Sequence, residues 1–210
     1  MHLYEKRGKA LTMSCHHTLE AYMHAYLEGI GLAAEPKLDL ILQRTAALGM
    51  QGKVTISHGF CLGEIDERAR DALLARMAAL GVALVTTAPA SVAVPPLAAC
   101  RAAGVTVVGG NDGIRDTWSP YGSPDMLERA MLIAMRNDYR RDDALETALD
   151  CVTDGGARGC GFVDYGLEAG KRADVVLVDV ATFAEAVVAR PVRRLVVSSG
   201  KIVARGGVLL

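Results

Sequence analysis

From residue 38 onward the apolar positions alternate between two periods. Leu38, Ile41, Leu42 and Leu48 recur at helical spacing, and Gly49 stops that helix. Residues 53–57 (KVTIS) form a short apolar run that ends at His58. Ile65, Ala69, Ala72, Leu73 and Leu80 trace a second helix, stopped by Gly81. Residues 82–87 (VALVTT) read as a strand ending at Ala88-Pro89, and Pro95-Pro96 opens a short helix that runs to Ala103 before Gly104. Residues 105–108 (VTVV) are the third strand, closed by Gly109-Gly110-Asn111-Asp112. A period of about 25 residues per strand and helix predicts βα units around a parallel sheet. The strands are apolar throughout, as expected when helices cover both faces.

The pattern changes on either side of this block. Residues 1–36 are irregular. Residues 1–5 read as the tail of a strand, residues 6–9 as a basic loop, and residues 18–28 as a helix broken by Gly29 and Gly31. After the third strand, Ser123-Pro124-Asp125 predicts a helix start with Ser123 as N-cap. Leu127, Ala130, Met131 and Ala134 form that helix's apolar face, and a further helix opens at Asp142 or Asp143 with Leu145, Ala148, Leu149 and Val152 inward. The tail reads as strands at residues 174–179, 194–198 and 202–208, with a hairpin at Ser199-Gly200-Lys201. The expected organisation is therefore an irregular segment at 1–36, a βα block at 37–165 and a small β module at 166–210.

Composition narrows the function class. The chain has 210 residues, 51% of them hydrophobic, and a net charge of −1, which points away from nucleic acid and anionic membranes as partners. The five cysteines show no C-x-x-C pair, so a reduced cytoplasmic setting is expected. No apolar run is long enough for a membrane span, and the first residues lack a signal-peptide core.

Two strand ends carry chemistry-bearing side chains, His58 and Asp112. In a parallel array both ends face one edge, where α/β folds place their sites. Imidazole and carboxylate together suit a divalent metal or a proton relay. The plain alternative is that Asn111-Asp112-Gly113 is only a turn, built from the usual turn residues. Cys61 reads as a small buried side chain. Cys15, His16, His17 and His24 make a poor ligand set, because adjacent histidines on a helix point in different directions.

Three segments carry a resemblance: VTISHGFCLGEID, GGNDGIRDTWSPYGSPDML and DYGLEAGKRADVVLVD. Together they resemble the amidohydrolase superfamily, most closely its cytosine-deaminase-like branch, over residues 38–208. The resemblance implies part of a (β/α)8 barrel, roughly strands five to eight, followed by strands of a small β-sandwich. It implies a metal-dependent hydrolase of C–N bonds in cyclic amidines or amides, with one divalent zinc or iron ion and a small heterocyclic substrate. By position it makes Asp112 a metal ligand that also takes a proton from the attacking water. It makes His58 the residue that orients that water, Trp118 a wall of the substrate pocket and Asp116 a support of the loop. The family's H-x-x-E motif matches His2-Leu3-Tyr4-Glu5, which makes His2 a metal ligand and Glu5 a proton shuttle.

The sequence also departs from that family. A full barrel needs roughly 200 to 250 residues, and the chain has room for half of one. No H-x-H occurs anywhere in it, whereas a catalytic metal takes about three protein ligands. Gly113 stands where cytosine deaminases tend to carry a second acid. The expectation is the C-terminal half of an amidohydrolase, inactive alone, completed by an N-terminal half or by a second copy. Two alternatives stay open: a non-catalytic half-barrel acting as a binding or assembly module, and an unrelated doubly wound α/β binding protein.

Overall fold

A computed structural model describes residues 4–5, 11–14, 37–117 and 120–210. The first two stretches and Lys37 are described by backbone alone. The chain divides into two compact units, residues 1–110 and 111–210.

The first unit is built on a five-stranded sheet of order β1-β2-β3-β4-β5. The strands are β1 (Tyr4–Glu5), β2 (Leu11–Ser14), β3 (Val54–Ser57), β4 (Ala83–Thr86) and β5 (Val107–Gly109). β2 to β5 run parallel, while β1 is antiparallel to β2 at the edge. The helices are α1 (Lys37–Ala47), the short α2 (Cys61–Glu64), α3 (Glu67–Ala79) and α4 (Leu97–Ala102). Asp66 caps α3 by accepting a hydrogen bond from the Ala69 amide at 3.0 Å. Ile56 and Leu84 on the central strands are fully buried, with Leu42, Leu74, Met77 and Cys100 supplied by the helices. Burial pushes the Cys100 thiol up to about 12, which keeps it protonated and inert.

The alternating βα order is the one the sequence predicts for residues 38–109. β2 is not: residues 6–9 read as a loop and no strand is expected at 11–14. Its residues, Leu-Thr-Met-Ser, do alternate apolar and polar, but four positions are too few to establish a period. The expected helix at residues 18–28 lies outside the described residues.

The second unit holds four helices and a small sheet. The helices are α5 (Met126–Arg136), α6 (Asp142–Asp150), α7 (Asp154–Gly159) and α8 (Phe183–Ala189). The sheet is an antiparallel meander, β6 (Val175–Leu177), β7 (Leu195–Ser198), β8 (Lys201–Arg205) and β9 (Val208–Leu209). α5, α6 and α8 pack on one another, burying Ala130, Ile133, Ala148 and Val187. The hairpin at Ser199-Gly200 forms with both residues at positive φ, as a two-residue turn between twisted strands requires. The single strand expected at 202–208 is instead two, because Gly206 and Gly207 both take positive φ and reverse the chain. Among the described residues, no helix is long and apolar enough to cross a membrane.

The start of α5 also differs from expectation. Asp125, not Ser123, is the N-cap, and its carboxylate accepts hydrogen bonds from the amides of Leu127 at 2.9 Å and Glu128 at 3.3 Å. The Asp125 carboxylate reaches two amides of the first turn, whereas Ser123 Oγ accepts from the Asp125 amide at 3.2 Å, ahead of the helix. Arg193 grips the same carboxylate in a two-pronged ion pair, Nη1 to Oδ2 at 3.0 Å and Nη2 to Oδ1. Burial alone would raise the Asp125 pKa, but Arg193 and the two amides outweigh it and hold the carboxyl below its usual range. A carboxyl lowered on folding contributes stability that is complete above the unfolded value near 4 and is lost as pH falls through the folded value. Asp125→Ala is expected to cost about 2 kcal/mol at pH 7, combining the lost cap and the charge-assisted bonds. In urea titrations that deficit should shrink below about pH 4. A deficit that stays constant down to pH 2 would contradict the assignment.

Candidate active site

The parallel strands place one edge of the first unit at issue. Ser14, Ser57, Val85 and Val108 are level in register, so β2 to β5 end together. Next beyond that line stand His58 on the central strand, Thr86-Thr87 on β4 and Gly109-Gly110 on β5. The edge is conformationally strained. His58 has φ +69 and Ala88 φ +47, both in the left-handed region that non-glycine residues rarely enter. Gly59 follows at φ +58, and a Cβ there would meet Leu84 Cδ1 at 2.7 Å. Such strain costs roughly 1–3 kcal/mol per residue and concentrates at functional sites.

His58 is held in this conformation from both sides. Its amide donates to the Val85 carbonyl at 2.7 Å, extending the β3–β4 ladder by one residue. Its ring lies 4.8 Å from the Phe60 ring at an interplanar angle of 34° and is only 2% exposed. The place of His58 at the carboxyl end of this strand is the one expected from the sequence, whereas its burial is not.

Asp112 opens the second unit, three residues beyond the end of β5, and is exposed. It sits on a loop that closes on itself. The Arg115 amide donates to the Tyr121 carbonyl at 3.1 Å. A Cβ on Gly122, which has φ +107, would lie 2.2 Å from the Gly113 carbonyl oxygen. A Cβ on Gly113 would lie 2.6 Å from Asp116 Oδ2, so the Asp116 carboxylate fills the space that a side chain at 113 would need. Trp118 lies outside the described residues, and so does His2.

Glu5 is placed differently from expectation. β1 is antiparallel, and Glu5 pairs with Leu11, which pairs with Val54 at the start of β3. Glu5 therefore stands at the amino end of the parallel strands, about 10 Å along the sheet from the edge that carries His58. β2 takes the place beside β3 that the motif reading gives to the strand of His2 and Glu5.

A carboxylate and an imidazole are donor types that suit zinc or iron. In number they fall short: among the described residues no group of three or more His, Cys, Asp or Glu is gathered closely enough to hold a metal ion. Sequence reasoning missed Arg129, a buried guanidinium whose Nη2 donates to Asn111 Oδ1 at 2.5 Å. An arginine inside a helical pattern reads as solvent-facing, and only the polar Asn111 beside Asp112 hints at a partner.

Comparison with known proteins fits this geometry. The sequence profile of the amidohydrolase family matches residues 6–204. The crystal structure of N-isopropylammelide isopropylaminohydrolase from Burkholderia multivorans is 71% identical and superposes with a TM-score of 0.86, over 97% of this chain and 49% of that one. N-isopropylammelide isopropyl amidohydrolase of Pseudomonas sp. strain ADP is 26% identical over 88% of this chain and 46% of its own length. 5-Methylcytosine deaminase from Klebsiella pneumoniae, at 24% identity and a TM-score of 0.72, shares the fold over 83% of this chain. The chain spans about half the length of the relatives it matches. It belongs to the amidohydrolase family.

Proposed function

We propose that this chain supplies the C-terminal half of an amidohydrolase that cleaves an exocyclic C–N bond on a nitrogen heterocycle. The favoured substrate class is an N-alkylamino triazine. Water adds to the ring carbon, the bond to the alkylamino nitrogen breaks, and the products are a ring carbonyl and a free alkylamine. The observation that carries this reading is the 71% identity, over 97% of the chain, to an N-isopropylammelide isopropylaminohydrolase.

A divalent zinc or iron ion, when bound, would make hydroxide available near neutral pH. Asp112 serves as one ligand and accepts the proton of the attacking water, as its exposed position on a closed loop permits. His58 orients that water and steadies charge developing on the ring, from a backbone conformation fixed by the β3–β4 ladder. Trp118 forms a wall for the flat ring. His2 is a further candidate ligand, whereas Glu5, at the amino end of the parallel strands, is left without a part in this site. The remaining ligands come from a polypeptide corresponding to the N-terminal half of the relatives. In the second unit, Val176, Leu177, Ile202 and Val208 of the small sheet are each more than two-fifths exposed, an apolar surface suited to burial against such a partner.

A second reading is a half-barrel that binds without catalysis. The incomplete donor set among the described residues favours it. One assay separates the two: isopropylamine release from N-isopropylammelide, by the chain alone and mixed with a separately expressed N-terminal half of the Burkholderia multivorans relative. The hydrolase reading predicts no turnover from the chain alone and turnover from the mixture. Two halves that co-elute and still release no amine would leave the binding module standing.

A further inference from the structure

We propose that Arg129 and Met126, on the first turn of α5, are positioning residues that clamp the Asn111 side chain by both ends and thereby aim Asp112 at a divalent cation. The inference rests on the metal-ligand reading of Asp112 given above.

The chain beside Asp112 is rich in glycine: in the run Gly109-Gly110-Asn111-Asp112-Gly113, only two residues carry side chains. Glycines widen the conformations open to the backbone, so a fixed Asn111 side chain narrows how the neighbouring carboxylate is presented. Its amide is gripped twice. Oδ1 accepts from Arg129 Nη2 at 2.5 Å, and Nδ2 points at Met126 Sδ at 3.9 Å. These two contacts define which end of the amide is oxygen and stop its rotation. The clamp is itself seated, because Asp125 caps α5 one residue before Met126 and is tied down by Arg193.

Arg129 is an expensive way to fill its position. It is 8% exposed, and the other buried residues of α5 are Ala130, Ile133 and Ala134. Taking a guanidinium out of water costs several kcal/mol by general estimates, and an apolar side chain of similar volume would pack there at less cost. The bond to Asn111 is what an apolar residue could not make.

Zinc titration of the one-to-one complex of this chain with the N-terminal half of the Burkholderia multivorans relative, against a competing chromophoric chelator, tests this. Asn111→Leu and Arg129→Met are each expected to weaken zinc binding by ~10–100-fold, the usual effect of losing a group that orients a ligand. The double variant should be no weaker than the worse single variant, because both act through one contact. Asn111→Asp keeps the acceptor and should stay within about threefold of the parent chain. A merely structural role predicts a lower melting temperature with unchanged zinc affinity in the folded protein, and that outcome overturns the proposal. If Arg129→Met does not fold, Asn111→Leu and Asn111→Asp decide alone. Asp112→Ala is the control: zinc uptake that is absent, or indifferent to Asp112→Ala, sinks the metal-ligand reading and this inference with it. Uptake that needs Asp112 yet ignores Asn111 and Arg129 sinks this inference alone.

Discussion

Asp112→Ala, measured in the enzyme completed with an N-terminal half, is expected to lower kcat/KM by at least ~10³-fold. The proposal gives this carboxylate two tasks, holding the cation and taking the proton of the attacking water. Loss of a general base alone costs roughly 10²–10⁴-fold, and loss of a ligand depletes the cation as well. Asp112→Asn separates the tasks, because it keeps an oxygen donor but cannot accept the proton. Excess zinc should restore more activity to the Ala variant than to the Asn variant if ligation is the larger share. A loss under about tenfold for Asp112→Ala would mean that Asn111-Asp112-Gly113 is only a turn.

Gly122→Ala is expected to open the loop that carries Asp112. At φ +107 an L side chain is strained wherever it stands, at roughly 1–3 kcal/mol. The added Cβ would lie 2.2 Å from the Gly113 carbonyl oxygen, a backbone atom with no rotamer to yield. The two halves of the loop must separate, and the turn that Asp116 fills beneath Gly113 separates with them. Displacing a reacting group by about 1 Å costs on the order of 10²-fold in rate. Activity of the completed Gly122→Ala enzyme should therefore fall by ~10²-fold while the melting temperature falls by only a few degrees. Equal activity in the variant would show that the closed loop is not the active conformation.

The strands that bear the site were legible because each is a short apolar run closed by a turn signal. Residues 53–57 stop at His58-Gly59, residues 82–87 at Ala88-Pro89, and residues 105–108 at two glycines. Their parallel order followed from the helix between each pair. Element ends were less legible where competing side chains or glycine turns decide them: the Asp125 carboxylate, not the Ser123 hydroxyl, takes the first-turn amides of α5, and Gly206-Gly207 cut one expected strand into two. α8 was overlooked although Thr182 and Glu185 carry its signature, with the Thr182 hydroxyl accepting from the Glu185 amide at 3.0 Å.

The site divides in the same way. That His58 follows β3 and Asp112 lies just past β5 could be read from the sequence, because each strand is a short apolar run closed by a turn signal. Glu5 could not, since its position depends on which strand pairs with β3, and pairing is a long-range property. Arg129 was hidden for a related reason. The apolar face expected for α5 was Leu127, Ala130, Met131 and Ala134; Ala130 and Ala134 are buried, but Arg129 and Ile133 complete the buried face in place of Leu127 and Met131. Only the fold shows that a charged residue on that face has Asn111 to meet.

Metal stoichiometry by plasma mass spectrometry, on the one-to-one complex of this chain with an N-terminal half, tests the central claim most directly. The account predicts about one zinc or iron ion per complex, well under one in the chain alone, and loss of the ion from the complex on Asp112→Ala. A well-folded complex that holds no metal, or that keeps it after Asp112→Ala, would contradict it.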